Sequence, residues 1–245
     1  KPKYFALKAQ LRAEDGKHGE THLMEADAHR RVANHPNILD LEYVFQDKVN
    51  TYFVMEYAPH GSLYQQIFQK HRYVGKDEAI KSVFGQLLDA VTYMHRKGVY
   101  HRDLKPQNIL CFDEGDRVAI CDFGLATSRR VCTEFGSGTK EYMTPESLVK
   151  MGRDHSKPYS PAASDVWALA HILLNLVTGR RIWTKASRSN KAYRNYLKAP
   201  YTFFLAAHPI SAALNELLVQ AIDPNPTARL SLKEFKTQFE AIETF

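Results

Sequence analysis

The sequence predicts an α+β fold of two lobes, a small β-rich lobe followed by a larger helical one. Two observations carry this prediction. Short strand-like segments with turn signals fill residues 1–58, and from there on apolar residues recur at helical spacing. The 245 residues, 44% of them hydrophobic, suffice for one large or two small domains with a sizeable core. We therefore expect one lobe at 1–58, a second at 59–245, and a hinge near Pro59–Ser62.

The β-rich part contains three predicted strands and one helix. Weak alternation over Tyr4–Ala9 predicts the first strand, and the Ala-, Leu- and Glu-rich segment Glu20–Val32 predicts the helix. Two apolar segments, Ile38–Phe45 and Tyr52–Tyr57, are separated by the polar stretch Gln46–Asn50. This arrangement predicts a β-hairpin.

The helical part contains four predicted helices. A long amphipathic helix begins near Asp77 and ends at Gly98, whereas Val166–Val177 is apolar nearly all round and predicts a buried central helix. Two further helices begin at Ser211 and at Ser231, and the second start has a capping-box pattern. No internal repeat interrupts this order.

Composition limits the compartment and the partners. Three cysteines cannot make a paired framework, and no apolar run approaches the roughly 18 residues of a membrane helix. We expect a reducing compartment, the cytoplasm or the nucleus, and no membrane. The net charge of +6 raises the possibility of nucleic-acid binding, but Lys and Arg are spread without a long block, so a solvated basic surface is favoured. We also expect a monomer.

Three motifs in one order carry a family resemblance. Ala6-Leu7-Lys8 lies in the first strand, His101–Leu110 follows the amphipathic helix, and Asp122-Phe123-Gly124 comes after a strand-turn-strand stretch. This set resembles the strand-lysine, catalytic-loop and magnesium motifs of the protein kinases. The resemblance extends over the whole chain and implies the two-lobed kinase fold, with ATP and Mg²⁺ as cofactors and protein substrates as partners.

The resemblance implies a role for each motif residue. Asp103 should orient or accept the proton of the substrate hydroxyl, and Lys105 should balance charge on the γ-phosphate. Asn108 and Asp122 should hold magnesium, because their oxygens are the hard ligands that it prefers. Thr139 matches the position that bonds the catalytic Asp and Lys in Ser/Thr kinases, so we expect Ser/Thr specificity.

Lys8 should contact the α- and β-phosphates, and it needs a helix carboxylate to hold it. Glu25, 17 positions further on, is the preferred partner, and Glu20 is the alternative. For each charged residue of the site, the competing interpretation is an ordinary surface salt bridge.

The adenine is expected between the lobes. By resemblance, Ala6 and Leu110 should enclose the base, Met55 should be the gatekeeper, and backbone groups of Glu56 and Ala58 should meet its edge. Further residues are expected at the ribose side or facing this pocket: Ser62, Gln107 and Cys121. We expect Cys121 to be a buried, inert thiol.

Substrate preference and regulation follow from departures from the family. Ser62, Gln107 and Asn175 are neutral where kinases that prefer upstream basic residues carry carboxylates, so we expect no strong preference for Arg before the target.

Phe135 stands where the usual loop phosphosite would be, and Thr133 and Ser137 are offset from it. Because Glu134 offers a standing negative charge to Arg102, we expect activity without loop phosphorylation.

The resemblance also implies scaffold contacts. Glu146 should pair with Arg229, and Asp165 should cap the catalytic-loop backbone. A column of four side chains should link the lobes: His101, Phe123, Leu41 and His29. For His29, the competing interpretation is a partly exposed helix residue.

The segments 134–139, 142–146 and 173–180 resemble a fungal subgroup described as negative regulators of meiosis and of nutrient-linked development. Two departures, Lys140-Glu141 and Ala170-His171, touch neither phosphate nor metal. The charged, Pro-containing region Met151–Pro161 predicts a surface insertion.

No Gly-x-Gly-x-x-Gly occurs in the chain, and only seven residues precede Lys8. The chain also lacks an initial Met, which favours a fragment. Two alternatives stay open: a parent chain that carries the first two strands and the phosphate-covering loop upstream, or a protein that begins here and leaves the ATP phosphates without backbone cover. Two function hypotheses stay open. One is an ATP- and Mg²⁺-dependent Ser/Thr kinase, and the other is a kinase-like interaction module with weak or no catalysis.

Overall fold

The computed structural model describes residues 4–12, 17–148 and 158–245; the side chains of residues 17–20 are not described. The predicted two-lobed α+β arrangement is confirmed. The small lobe contains strand β1 (Phe5–Leu11), helix α1 (Lys17–Val32) and strands β2 (Leu41–Gln46) and β3 (Asn50–Glu56). The strands form one antiparallel sheet in the order β1-β3-β2.

The predicted strand Ile38–Phe45 begins later than expected. Ile38 forms a bridge with Ile120, and the Leu39 amide donates to the Ile120 carbonyl at 2.9 Å, so both residues join the large lobe instead of the sheet. The polar turn of the hairpin behaves as predicted, because Asp47 Oδ1 accepts from the amides of Val49 and Asn50 at 2.7 and 2.6 Å.

In its described part, the large lobe contains two strands, β4 (Ile109–Phe112) and β5 (Arg117–Ile120). Its longer α-helices are α2 (Asp77–Arg96), α4 (Pro161–Thr178), α5 (Lys191–Lys198), α6 (Pro200–Ala207), α7 (Ala212–Ala221) and α8 (Leu232–Glu240). The helix α3 (Pro145–Leu148) is a single turn. Strands β4 and β5 form a separate two-stranded sheet. The sequence did not predict α5 and α6.

Helix α4 is the centre of the large lobe, as its apolar sequence predicts. Ser160 caps its start by accepting from the Ala163 amide, and Gly179 ends it with φ of 65°, a conformation that glycine adopts without strain. Nearly every residue between these caps is buried among α2, α7 and α8. The capping box at Ser231 and Glu234 is formed at the start of α8.

No helix in the described ranges is long and apolar enough to cross a membrane. Most of the insertion predicted at Met151–Pro161 lies outside the described residues. Where the description resumes, Tyr159 forms a bridge with Cys132 and so ties the start of α4 to the segment before α3.

Candidate active site

The alternating burial of β1 directs Lys8 toward the cleft between the lobes. Lys8 and Gln10 are partly buried there, whereas Leu7, the residue before Lys8, is 61% exposed on the other face of the strand. Lys8 Nζ donates to Glu25 Oε1 and to Asp122 Oδ1, both at 2.8 Å. Gln10 Nε2 donates to Glu25 Oε2 at 3.1 Å. One cation thus joins β1, α1 and the large lobe. The alternative partner, Glu20, lies outside the described side chains.

The charges in this cluster stabilise one another. Burial alone would lower the pKa of Lys8, but hydrogen bonds and charge from Asp122 and Glu25 raise the Lys8 pKa above its ordinary value. Burial would raise the pKa of Asp122, but the hydrogen bond and charge of Lys8 outweigh it and lower the Asp122 pKa. Both groups are therefore ionised at neutral pH, in the form needed to bind phosphate and a divalent cation.

The Asp103 carboxylate is held by the Lys105 ammonium group and by the backbone of Thr139. Lys105 Nζ donates to Asp103 Oδ2 at 2.6 Å and to Thr139 Oγ1 at 2.7 Å, and the Thr139 amide donates to Asp103 Oδ1 at 2.8 Å. Gly138, with φ of 121°, permits this approach, because a Cβ there would lie 3.1 Å from the Arg102 carbonyl oxygen. The network closes around one carboxylate and holds it in a single orientation.

Asn108 and Asp122 each supply an oxygen donor, and the Cys121 amide, which donates to the Asn108 carbonyl at 2.9 Å, holds their backbone segments side by side. Asn108 Nδ2 donates to the carbonyl oxygen of Asp103 at 3.0 Å and to its Oδ2 at 3.3 Å, which leaves the amide oxygen of Asn108 for a cation. Among the described residues, no group of three or more His, Cys, Asp or Glu could hold a metal. Two oxygen donors suit Mg²⁺ held jointly by protein and phosphate oxygens, because Mg²⁺ takes few protein ligands and keeps other oxygens.

Asp165 of α4 holds the loop that carries Asp103. The amides of His101 and Arg102 donate to its two carboxylate oxygens at 3.0 and 2.9 Å, and His95 Nε2 lies 2.8 Å from the same group. Arg102 and Asp122 have positive φ, 67° and 66°, which is uncommon outside glycine. Two of the five non-Gly residues with positive φ in the described ranges thus lie in the site, where the surrounding hydrogen bonds maintain this backbone conformation.

The expected adenine pocket residues lie together at the hinge. Ala6 is paired with Met55 across the sheet. Four side chains surround a small cluster of buried residues beneath the hinge: Met55, Ala58, Leu110 and Cys121. Ser62 forms a bridge with Leu110.

Three further residues of the expected pocket, Glu56, Gln107 and Cys121, have different surroundings. The Glu56 carboxylate pairs with Arg117 at 2.8 Å and its amide donates to the Asp40 carbonyl, so only its own carbonyl remains for a base. Gln107 is exposed. Burial, with the Asp122 charge adding to it, raises the pKa of the Cys121 thiol to about 12, which keeps it protonated.

Aromatic and imidazole rings connect the lobes. The Phe123 ring lies 4.7 Å from the His29 ring and 5.2 Å from the His101 ring, measured between centroids. His29 is 2% exposed, and its Nε2 lies 2.6 Å from the Leu39 carbonyl oxygen, so it is a core residue and not a partly exposed one. Burial lowers the pKa of His29 despite that hydrogen bond, and the ring stays neutral.

The segment before Thr139 is anchored by Glu134. Arg129 Nη1 donates to Glu134 Oε1 at 2.9 Å, and Arg102 Nη1 lies 3.5 Å from Glu134 Oε2. Arg102 Nη2 also donates to the Glu134 carbonyl and to the Tyr159 hydroxyl at 3.3 and 3.0 Å. The Glu134 carboxylate therefore supplies the negative charge that faces Arg102.

The far end of this segment is fixed by a buried ion pair. Arg229, whose side chain is fully buried, donates to both oxygens of Glu146 at 2.8 and 3.2 Å. It also stacks on the Trp167 ring. Asn175, one of the three neutral positions in the substrate-preference prediction, is buried, with Tyr142 Oη donating to its Oδ1 and its Nδ2 donating to the Arg180 carbonyl.

Sequence reasoning missed four contributors: Gln10, His95, Arg129 and Tyr159. Gln10 could have been found, because it shares a strand face with Lys8 at a spacing of two. The other three act across segments that are distant in sequence, and no local pattern identifies such neighbours.

A two-lobed fold with a Lys–Glu pair in the small lobe, and an Asp–Lys–Thr network and paired Asn and Asp oxygens in the large one, defines the protein kinase class. The family model described as "Protein kinase domain" matches residues 1–239, and the chain belongs to this family.

The chain is 38% identical over 230 residues to the "Negative regulator of sexual conjugation and meiosis" of Schizosaccharomyces pombe, covering 87% of the chain and 49% of that protein. It is 34% identical over 235 residues to "Serine/threonine-protein kinase VHS1" of Saccharomyces cerevisiae, covering 91% of the chain and 50% of that protein. The chain thus spans about half the length of these relatives. The expected resemblance to fungal Ser/Thr kinases is confirmed.

Proposed function

We propose that this chain transfers the γ-phosphoryl group of ATP to Ser and Thr hydroxyls of protein substrates. The observation that carries the proposal is Lys8, which is hydrogen-bonded at 2.8 Å to both Glu25 and Asp122. A module that only bound partners would have no need to align this cation with the Asp103 network. The names of the Ser/Thr kinase relatives support the acceptor class.

In this proposal Asp103 accepts the proton of the substrate hydroxyl. The oxygen of that hydroxyl forms a bond to the γ-phosphorus, and the bond from this phosphorus to the β–γ bridging oxygen breaks. Lys105 neutralises charge that develops on the transferred group, and its bond to Thr139 keeps it within reach. Lys8, held by Glu25, positions the α- and β-phosphates. Bound Mg²⁺ supplies further charge neutralisation, and Asn108 and Asp122 would hold it.

The nucleotide base would lie between Ala6 and Leu110, with Met55 at the back of the pocket. The carbonyl of Glu56 and the backbone of Ala58 would meet the edge of the base. Ser62 and Gln107 would face the ribose side, where their neutral side chains offer only weak contacts.

We further propose activity without loop phosphorylation. Glu134 already supplies a carboxylate to Arg102 and Arg129, so the segment needs no added phosphate to become ordered. Phosphatase treatment should leave turnover unchanged, and loss of turnover would contradict the proposal. Glu134→Ala should reduce turnover, whereas Thr133→Ala should not.

For substrates, we propose that Ser62 and Gln107 give no strong preference for Arg upstream of the target. The buried Asn175 takes no part in this selection. A peptide-array profile dominated by upstream Arg would contradict the proposal. We also propose a monomer that acts in the cytoplasm or the nucleus.

The alternative function, an interaction module without turnover, is favoured by the absence of a Gly-x-Gly-x-x-Gly motif from the 245 residues. Two measurements on the same chain distinguish the kinase from the interaction module. The first is the thermal shift caused by Mg²⁺-ATP, and the second is the transfer of labelled phosphate to a generic protein substrate. We expect a shift and transfer for the chain, and loss of transfer for Asp103→Asn and Asp122→Asn. A chain that stays folded but gives neither signal, or binds nucleotide without transfer, would support the alternative.

A further inference from the structure

The positive charge of the chain is concentrated in one segment. Seven lysines and arginines lie between residues 180 and 198, and no Asp or Glu occurs between Asp165 and Glu216. Removing these seven from the 33 Lys and Arg of the chain leaves 26, against 27 Asp and Glu. Without these seven cations the chain would carry a net charge of −1, so the excess of positive charge comes from the segment around α5.

Four cations of this segment are exposed and have no acidic partner among the described residues. Lys191, Arg194 and Lys198 lie at i, i+3 and i+7 on α5 and form one exposed stripe, with Arg188 just before the helix. Within the described ranges, no carboxylate lies within 4 Å of these four side chains, whereas Arg181 lies 3.7 Å from Glu141. The stripe keeps its charge available to a binding partner.

An apolar groove lies beside this stripe. It has a volume of about 360 Å³ and is lined mainly by α3, α5 and the loop before α5, including Leu148, Tyr193 and Leu197. Arg188 lies at its rim. The one carboxylate in its lining, Glu146, is neutralised by Arg229. The groove therefore presents an apolar concavity with a positive edge.

We propose that this surface, the α5 groove, docks an acidic peptide segment of a partner protein. An apolar side chain of the peptide enters the groove, and flanking carboxylates pair with Arg188 and the stripe on α5. A concave groove of this size favours one or two inserted side chains over a lipid surface. Because α3 ends the segment that carries Thr139, the docked partner lies beside the catalytic segment. The proposal concerns binding and does not depend on phosphoryl transfer.

The test uses a fluorescein-labelled 12-residue peptide of Asp and Glu with one Leu and one Phe four residues apart. Fluorescence anisotropy should show saturable binding to the chain that weakens from 50 to 200 mM salt. Arg188→Glu with Lys191→Glu should weaken binding at least tenfold. The matched pair Lys48→Glu with Lys70→Glu, two exposed cations elsewhere, should change it less than twofold.

Two further arms test the groove and the class of partner. Replacing Leu and Phe of the peptide by Ala, or Leu197 by Ala, should weaken binding about fivefold, and circular dichroism melts monitor folding of each variant. Absence of saturable binding, equal loss in both charge-reversal pairs, or an unaffected Ala peptide would overturn the proposal. The proposal would also be overturned if the chain failed to bind the peptide but bound phosphatidylserine vesicles, and if Arg188→Glu with Lys191→Glu abolished that vesicle binding. Because Asp122→Asn should retain peptide binding, this result is independent of whether the chain transfers phosphate.

Discussion

The two lobes are held together by different forces. In the large lobe, α4 is buried nearly throughout, and its apolar side chains pack among three other helices. In the small lobe, the outer face of the sheet is open, with Leu7 61% and Tyr43 66% exposed. The small lobe is fixed to the large one by the Lys8–Asp122 hydrogen bond and by the ring contact of His29 with Phe123, both of which span the two lobes. Burial therefore stabilises the large lobe, which carries Asp103 and Asn108, whereas the placement of Lys8 in the small lobe depends on a few contacts between the lobes.

The largest expected difference between the lobes is in hydrogen exchange. Amides of α4 should exchange only through global unfolding, whereas those of the edge strand β1 should exchange through local opening. We expect protection factors for β1 to be at least about 100-fold lower than for α4, measured by exchange mass spectrometry at neutral pH. Equal protection in both elements would show that the chain unfolds as one unit.

A second comparison concerns ion pairs. Arg229→Ala should lower the free energy of unfolding by about 3–5 kcal/mol, because it leaves Glu146 without its partner and removes stacking on Trp167. The measurement is urea denaturation followed by circular dichroism. The control is Lys236→Ala, whose exposed pair with Asp89 spans 2.6 Å and should contribute at most about 1 kcal/mol. Similar losses in both variants would contradict a scaffold fixed by buried contacts.

Regular periodicity explains why much of the large lobe could be predicted. The amphipathic stripe of α2, the apolar run of α4 and the capping box of α8 are local signals, and the structure contains all three helices. Helices α5 and α6 were missed because each has only eight residues. Helix α5 carries Lys, Arg and Tyr in place of an aliphatic face, so it depends on tertiary packing of Tyr193 and Tyr196.

The candidate site could be predicted only in part, for a related reason. The motif residues are contiguous in sequence, so Asp103, Lys105 and Asn108 follow from resemblance. The groups that hold the site in place come from distant segments: His95 reaches Asp165 from 70 positions away, and Tyr159 reaches Arg102 from 57. Such contacts are set by the packing of helices, which a single sequence does not display.

The third prediction compares a buried histidine in each lobe. Burial lowers the pKa of His171 to about 4 and also lowers that of His29, so both are neutral in the folded chain. Unfolded histidine binds a proton below about pH 6.5. Stability should therefore be fully present above this pH and decrease as pH falls, by up to about 1.4 kcal/mol per unit for each group.

Denaturation at pH 7.0 and 5.0 measures this effect. We expect His171→Leu to reduce the loss of stability over this interval by about 2 kcal/mol. His29→Leu should reduce it by less, since local opening of the small lobe can expose that ring without global unfolding. An unchanged pH dependence in His171→Leu would mean that this ring is already protonated or hydrated in the folded state.

The smallest expected effect is on the open face of the sheet. Leu7→Thr keeps a strand-forming residue opposite Val54 and removes only exposed apolar surface, so the free energy of unfolding should change by less than about 0.5 kcal/mol. The matched variant in the other lobe, Leu87→Ala in α2, removes a fully buried side chain and should cost about 2–5 kcal/mol. A loss above 1 kcal/mol for Leu7→Thr would show that this face is covered in solution. If that loss grew with protein concentration, the cover would be a second copy of the chain, and the contrast between an open and a closed lobe would apply only to the isolated monomer.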